Sequence, residues 1–169
     1  MDLSSIISGP AKPYLEYGWV TAPNTSYQSI ATNTITTLTI DTEIADTGNY
    51  GSIANNQITL AAGTYLFKGR LANNSANGYA SGGTLSLYNV TLSSYVTREE
   101  FLNSGYYADA RIEGQFTIAS SSVFEMRIYH YENANRTLYV GGLYAASYSS
   151  TLSNGGADQR TTLKLWKLA

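Results

Sequence analysis

The chain has 169 residues, no cysteine and a formal net charge of −2, with 43% hydrophobic and only 13% charged residues. This length fits one domain with a sizeable core, and the absence of cysteine excludes disulfides and thiolate metal sites. The near-neutral charge argues against nucleic acid as a partner and against a polybasic membrane anchor.

The first 18 residues predict an extended N-terminal arm that precedes a single domain over residues 19–169. Pro10 and Pro13 lie close together and disfavour a helix. The arm is either a strand lead-in that lies on its own domain or a segment that grips another subunit. For the second interpretation, the candidate attachment residues are Leu3, Ile6, Ile7, Tyr14 and Tyr17. The segment lacks the charged and apolar regions of a secretion signal, so we expect none.

Period-two alternation begins after the arm. The stretch ITTLTIDTEI (35–44) predicts one half-buried strand with Leu38, Ile40 and Ile44 on its inward face. The turn cluster ADTGNYGS follows it, and then come two alternating runs, QITL and TYLFKGRL.

Further short runs with strand character continue to the end of the chain. They are TLSLYNVTL, RIEGQFTI, VFEMRIYHY, TLYVGGLYAASY and TTLKLWKL, separated by Gly, Asn and Ser turns. We count eight to ten strands and no convincing amphipathic helix. This pattern predicts an all-β fold, a single antiparallel jelly roll or β-sandwich with an extended N-terminal arm.

The order of these runs resembles the C1q/tumour-necrosis-factor jelly-roll superfamily. The resemblance is carried by ITTLTIDTEIADTGNYGSIANNQITLAAGTYLF, in which Ala62, Gly63, Tyr65 and Phe67 form a small-Gly-x-Tyr-x-Phe entry to a strand. Gly63 would let the backbone turn sharply there. The terminal TTLKLWKL is similar to the final strand of that fold, and the resemblance spans about residues 30–169.

The resemblance implies a homotrimer. The residues it suggests for the core and the trimer seam are Tyr65, Phe67, Leu163, Leu165 and Trp166. The chain has neither the collagen stalk nor the cysteines of the animal family. It is also similar to the trimeric jelly-roll modules of bacteriophage capsid decoration proteins and fibre tips.

Catalytic and metal-binding motifs are weak. His130 is the single histidine, and a lone histidine on a strand favours a structural role. The acidic residues Asp41, Glu43 and Asp46 could offer oxygen ligands to a hard cation, but they lack a calcium-loop spacing and suit a solvated strand face better. We therefore expect no enzyme activity, no cofactor and no metal site.

Two tyrosine-rich segments, SGYYADA and GGLYAASYSS, are candidate contact loops. Their tyrosines are Tyr106, Tyr107, Tyr144 and Tyr148. Exposed tyrosines suit carbohydrate stacking or protein contact, whereas burial in the sandwich or in a trimer interface is the alternative.

These observations together favour a structural virion protein. The expected role is a homotrimeric decoration or cement protein on the surface of a phage capsid, with itself and the major capsid protein as partners and no nucleic acid or membrane. The alternative is a receptor- or glycan-binding tip of a tail or attachment fibre. A small hydrolase is disfavoured because no triad or usable acid pair is evident.

Overall fold

A computed structural model describes residues 12–19, 28–75, 81–103, 107–131, 138–140 and 161–169. These residues form thirteen strands and no helix, which confirms the all-β prediction. The strands are β1 (Tyr14–Gly18), β2 (Gln28–Ile30), β3 (Ile35–Thr37), β4 (Thr42–Asp46), β5 (Gly51–Ala54), β6 (Gln57–Leu60), β7 (Gly63–Ser75), β8 (Ser81–Asn89), β9 (Ser94–Asn103), β10 (Tyr107–Ile118), β11 (Ser122–His130), β12 (Leu138–Val140) and β13 (Thr162–Lys167).

The strands form two antiparallel sheets that pack face to face. In the first sheet, β7 pairs with β10 along one edge, while its other edge pairs first with β13 and then with β12. The sheet continues from β13 through β1 to β4, and from β12 to β2. The second sheet has the order β5-β6-β11-β8-β9, with β3 also paired to β11. This arrangement is the predicted jelly-roll sandwich.

Both sheets contribute to one aromatic centre of the core. The ring of Phe116 on β10 lies 5.6 Å from that of Tyr65, 5.7 Å from that of Phe67 and 5.0 Å from that of Phe124 on the second sheet. The contact between Phe116 and Phe124 joins the two sheets, and large aromatic rings there bury much apolar area in the shared core.

Residues 35–44 do not form the single strand that their alternation predicts. They form β3 in the second sheet and β4 in the first, joined by a segment that crosses between the sheets. Leu38 and Ile40 in the crossing are fully buried, whereas Ile44 is exposed. The crossing keeps its backbone satisfied, since Leu38 N–H donates to the carbonyl of Met126 and Ile40 N–H to the side chain of Asn56.

The boundary between arm and domain lies earlier than residue 18. β1 pairs with β13 on one side and with β4 on the other, so residues 14–18 are an interior strand of the sheet. Leu15 and Tyr17 are fully buried. Residues 14–18 therefore fit the strand lead-in interpretation, and the arm prediction is left for residues 1–11, which lie outside the described residues.

The glycine at the entry to β7 is required by close packing. Gly63 has a φ of +155°, and a Cβ there would lie 2.6 Å from both the carbonyl oxygen of Ala169 and Cε of Lys167. The end of the chain is fixed at this point, because Thr64 N–H donates to the Ala169 carbonyl and Leu168 N–H to the Thr64 carbonyl. No side chain fits without displacing this terminus.

Candidate interaction surfaces

The outward face of the first sheet carries its side chains in three rows across the strands. We call it the ladder face and define it by three rows: Tyr14, Trp166 and Leu66; Glu16, Lys164, Lys68 and Glu113; and Thr162, Arg70 and Arg111. The rows arise because successive residues of a strand point to opposite sides, so every second residue of TTLKLWKL faces outward.

The first row of the ladder face is apolar. The rings of Tyr14 and Trp166 lie 5.5 Å apart, and Leu66 stands opposite Trp166 on the next strand. All three side chains are only partly covered by the chain itself. The Tyr14 hydroxyl donates to the carboxylate of Glu16, and burial together with this hydrogen bond raises the pKa of Tyr14.

The second row places two lysines between two glutamates. Lys164 Nζ lies 3.5 Å from Glu16, and Lys68 Nζ lies 3.5 Å from Glu113. The side chains of Lys68 and Glu113 are 61% and 73% exposed. Exposed pairs of this kind contribute about 0–1 kcal/mol to stability, so this pair adds little to the stability of the fold.

The outward face of the second sheet carries a groove built from β3, β8, β9 and β11. Its volume is about 290 Å³. We call it the tyrosine groove, and its lining residues are Ile35, Thr84, Ser86, Tyr95, Arg98, Ile128, Tyr129 and Tyr131.

Tyr95 and Arg98 form one wall of the groove, and Tyr88 and Arg127 continue the stack beside it. The rings of Tyr88 and Tyr95 meet edge to face at 5.0 Å. The guanidinium carbon of Arg127 lies 3.5 Å from the ring centroid of Tyr88, and that of Arg98 lies 4.2 Å from the centroid of Tyr95. Cation–π contacts contribute about 0.5–1 kcal/mol at exposed sites and more where the groups are desolvated.

A buried carboxylate anchors this wall. Glu125 accepts hydrogen bonds from Arg127 Nε at 2.7 Å, from Gln57 Nε2 at 2.8 Å and from Thr37 Oγ1 at 3.0 Å. Burial alone would raise the pKa of Glu125, but these hydrogen bonds and the charge of Arg127 outweigh it and lower the pKa. The pKa of Arg127 is raised because the contacts with Glu125 outweigh its burial.

The opposite rim of the groove consists of two tyrosines. The rings of Tyr129 and Tyr131 lie 6.0 Å apart, and the Tyr129 hydroxyl donates to the side-chain oxygen of Asn33 at 3.2 Å. Burial and, after it, the nearby charge of Glu100 raise the pKa of Tyr131. The rim therefore has a carboxylate close to it.

The residues proposed for the core and trimer seam separate into two groups. Tyr65, Phe67, Leu163 and Leu165 are buried within the chain's own core. Trp166 is the one member of this set whose side chain lies on the ladder face. These four are therefore core residues of the single chain, and of this set only Trp166 keeps its side chain on an outward face.

The proposed attachment and loop residues are only partly within the described residues. Tyr14 lies on the ladder face, but Tyr17 is fully buried and unavailable to a partner. Outside the described residues lie Leu3, Ile6, Ile7, Tyr106, Tyr144 and Tyr148. Tyr107 begins β10, and the loop predictions stay predictions.

Residues that the sequence offered as candidates for catalysis or metal binding are parts of the fold. His130 is fully buried at the end of β11. Asp46 closes a turn by accepting from the N–H groups of Gly48 at 3.1 Å and Gly51 at 2.8 Å. Among the described residues, no group of three or more His, Asp or Glu side chains is placed to hold a metal ion, and no helix in that part of the chain could cross a membrane.

The sequence did not predict the tyrosine groove, because its residues come from four separate strands that only the fold brings together. A partial signal was present. Tyr88 and Tyr95 flank the turn of one hairpin and stand opposite each other in its register. Tyr129 and Tyr131 are two residues apart, the spacing of side chains on one face of a strand.

Comparison with known proteins identifies the fold. No protein-family model matches the chain, and no curated protein matches its sequence. Among solved structures, 211 chains match. They include crystal structures of murine APRIL at pH 8.5 (16% identity, TM-score 0.57), pH 8.0 (18%, 0.54) and pH 5.0 (17%, 0.52). Each alignment covers 94% of this chain and 100% of the other. The chain therefore has the jelly-roll fold of the tumour-necrosis-factor type.

Proposed function

We propose that the chain is a non-catalytic structural protein that assembles as a homotrimer through the ladder face. In its more specific form, the proposal is a decoration or cement protein on the surface of a phage capsid. The observation that carries the self-association is the ladder face, where an apolar row lies beside a row of two lysines between two glutamates on adjacent strands of a sheet.

The apolar row supports a subunit contact through its position. Tyr14, Trp166 and Leu66 stand on three adjacent strands, β1, β13 and β7, so their exposed parts form one continuous strip. Burying this strip against a second copy would remove apolar surface from water at roughly 25 cal/mol per Å². Tyr and Trp are also the side chains most enriched at the centres of protein interfaces.

The charged row supports a second copy as the occupant. The order Glu16, Lys164, Lys68, Glu113 offers both signs in one row. A second copy that is shifted along the row can place its glutamates opposite these lysines. Such charge complementarity sets the alignment of the two copies and disfavours other partners. Arg70 and Arg111 in the third row extend the positive side of this pattern.

The capsid role has a separate and narrower basis. It rests on the resemblance to trimeric modules of phage virions, and on a cysteine-free sequence of low charge that is rich in Ser, Thr, Asn, Gly and Tyr. A trimer that spans several copies of the major capsid protein would add weak contacts together and so resist separation of the shell. Leu3, Ile6 and Ile7 in the N-terminal segment remain the attachment residues of this proposal.

Native mass spectrometry at low micromolar concentration tests the assembly. We expect a mass near three times the 18.3 kDa of the chain. Trp166→Ala should shift the population toward the single chain, whereas Leu92→Ala, an exposed residue in the turn between β8 and β9, should leave it trimeric. A wild-type mass of 18.3 kDa at physiological salt would overturn the proposal.

Truncation and labelling test the capsid role. Deletion of residues 1–11, which leaves β1 intact, should preserve the trimer and abolish binding to capsids that lack the protein. Immuno-labelling of virions should place the protein on the head. Label confined to the tail would contradict the decoration role. Undiminished capsid binding after truncation would contradict attachment through the arm.

A further inference from the structure

We propose that the tyrosine groove is a binding site for a short neutral saccharide. The groove lies on the second sheet, on the opposite side of the sandwich from the ladder face. The proposal is therefore independent of the trimer, and the two can fail separately.

The size of the groove favours a small ligand. Its volume of about 290 Å³ is at the lower end of the roughly 300–1,000 Å³ that is usual for ligand pockets. One or two sugar rings fill such a space. A protein partner would instead need about 800 Å² of matched surface on each side, far more than the groove itself supplies.

The lining combines the two kinds of group that a sugar requires. Tyr95 and Tyr131 are each more than one third exposed, at 38% and 37%, so their rings can stack on the C–H face of a pyranose. Thr84 on β8, the strand between β9 and β11, also lines the groove and is only partly buried, so its hydroxyl supplies a donor and an acceptor for a sugar hydroxyl. Ser86 is 4% exposed and its Oγ donates to the Arg127 carbonyl at 3.2 Å, so it belongs to the floor of the groove.

The charges around the groove favour a neutral sugar over an acidic one. The guanidinium of Arg127 is neutralised by Glu125. Arg98 is the single cation among the described residues of the lining, and Glu100 stands opposite the lining residue Thr84 in the pairing of β8 with β9. An acidic sugar would meet the field of this carboxylate, whereas a neutral sugar can use the Arg98 N–H groups as donors to its hydroxyls.

Most of the groove is built on paired strands of one sheet, and its side chains already have partners within the chain. Arg98 stacks on Tyr95, and the Tyr129 hydroxyl donates to Asn33. Preorganised rings lose little entropy on binding, which is the main cost for a weak ligand such as a sugar.

Screening on a glycan array that carries neutral and sialylated glycans, followed by calorimetry with the free oligosaccharide, tests this proposal. We expect a neutral glycan to bind. Tyr131→Ala should weaken that binding at least tenfold, Tyr131→Phe should retain most of it because the ring remains, and Leu92→Ala should leave it unchanged. Tyr95→Ala should also weaken binding, with its melting temperature measured to confirm folding.

Three results would overturn the assignment. They are the absence of binding to any neutral glycan at millimolar concentration, binding confined to sialylated glycans, and binding that survives both Tyr131→Ala and Arg98→Gln. The last two variants change exposed side chains at the edge of the groove, so they should fold even if Tyr95→Ala does not. A trimer that binds no glycan would reject the saccharide site alone, and a single chain that binds one would reject the trimer alone.

Discussion

The two outward faces of the sandwich use similar residues in opposite ways. On the ladder face, Lys68 and Glu113 form an ion pair whose members are 61% and 73% exposed. Beside the tyrosine groove, Arg127 and Glu125 form an ion pair that is 21% and 9% exposed and that also engages Gln57 and Thr37. The first pair can exchange its partner at little cost, whereas the second is part of the fold. Burial, more than composition, separates an exposed ion pair that adds little to stability from one that is part of the fold.

The largest expected difference between the faces is in stability. Glu125→Ala removes the acceptor of three hydrogen bonds and leaves the guanidinium of Arg127 without its carboxylate partner. Removing one partner of a buried ion pair costs about 3 kcal/mol of folding stability. Glu113→Ala on the ladder face should cost about 0.5 kcal/mol or less. Urea unfolding of both variants measures the two values. Equal losses would show that the faces do not differ in this way.

Protonation of the same carboxylate should cause most of the loss of folding stability at low pH on this side of the molecule. The pKa of Glu125 is lowered in the folded chain from its ordinary value of 4.5, so its stabilisation is fully present above about that pH and is lost as the pH falls through the folded-state pKa. Wild type should therefore be more stable than Glu125→Gln at neutral pH, and the gap should narrow below pH 4.5.

Melting temperatures of both proteins between about pH 3 and 7 measure this narrowing. Gln57→Met provides a second test. It removes one hydrogen-bond donor from the carboxylate, so the loss of stability in acid should move to higher pH. A gap that stays constant across the range would contradict the role of Glu125.

The ladder face can be tested by reversing one charge. Lys68→Glu reverses the charge of one of the two central lysines of the row, and it should change the stability of the single chain by about 0.5 kcal/mol or less because Lys68 is exposed. Under the proposed assembly it should weaken trimer association about tenfold, and Glu113→Lys in the same chain should restore part of the loss. Sedimentation at several protein concentrations measures this effect.

A reversal on the other sheet gives the matched control. Arg98→Glu in the tyrosine groove should leave trimer association unchanged. Dissociation by Arg98→Glu, with no effect of Lys68→Glu, would transfer the subunit contact to the second sheet and contradict the assignment of both faces.

The sequence predicted local features of the fold well and assembled surfaces poorly. The glycine before Tyr65 and Phe67 could be predicted because a sharp turn and an alternating strand are local properties. The division of residues 35–44 between two sheets could not, because Leu38 and Ile40 keep the inward period while the hydrogen-bonding partner changes. Alternation reports which side chains are buried and is silent about which strand lies beside them.

The candidate surfaces show the same limit. Trp166 was predicted for the core or the trimer seam together with Leu163 and Leu165, from the resemblance of the final strand, whereas the alternation of that strand places its side chain on the opposite face from theirs. Tyr95, Tyr129 and Tyr131 were missed, since they come together only through the pairing of β11 with β8 and of β8 with β9. A groove made of several strands needs the sheet order, which no short stretch of sequence contains.

The smallest expected effect concerns the stacked arginines of the groove. Arg98 lies 4.2 Å from the Tyr95 ring on an exposed edge, whereas Arg127 lies 3.5 Å from Tyr88 on a more covered surface. Exposed cation–π contacts contribute about 0.5–1 kcal/mol, and desolvated ones more. A double-mutant cycle of Arg98→Gln with Tyr95→Leu should therefore give a coupling energy of about 0.5 kcal/mol, and the cycle of Arg127→Gln with Tyr88→Leu a larger one. The reverse order would mean that the ion pair with Glu125, and not the ring of Tyr88, holds the guanidinium of Arg127 in its position.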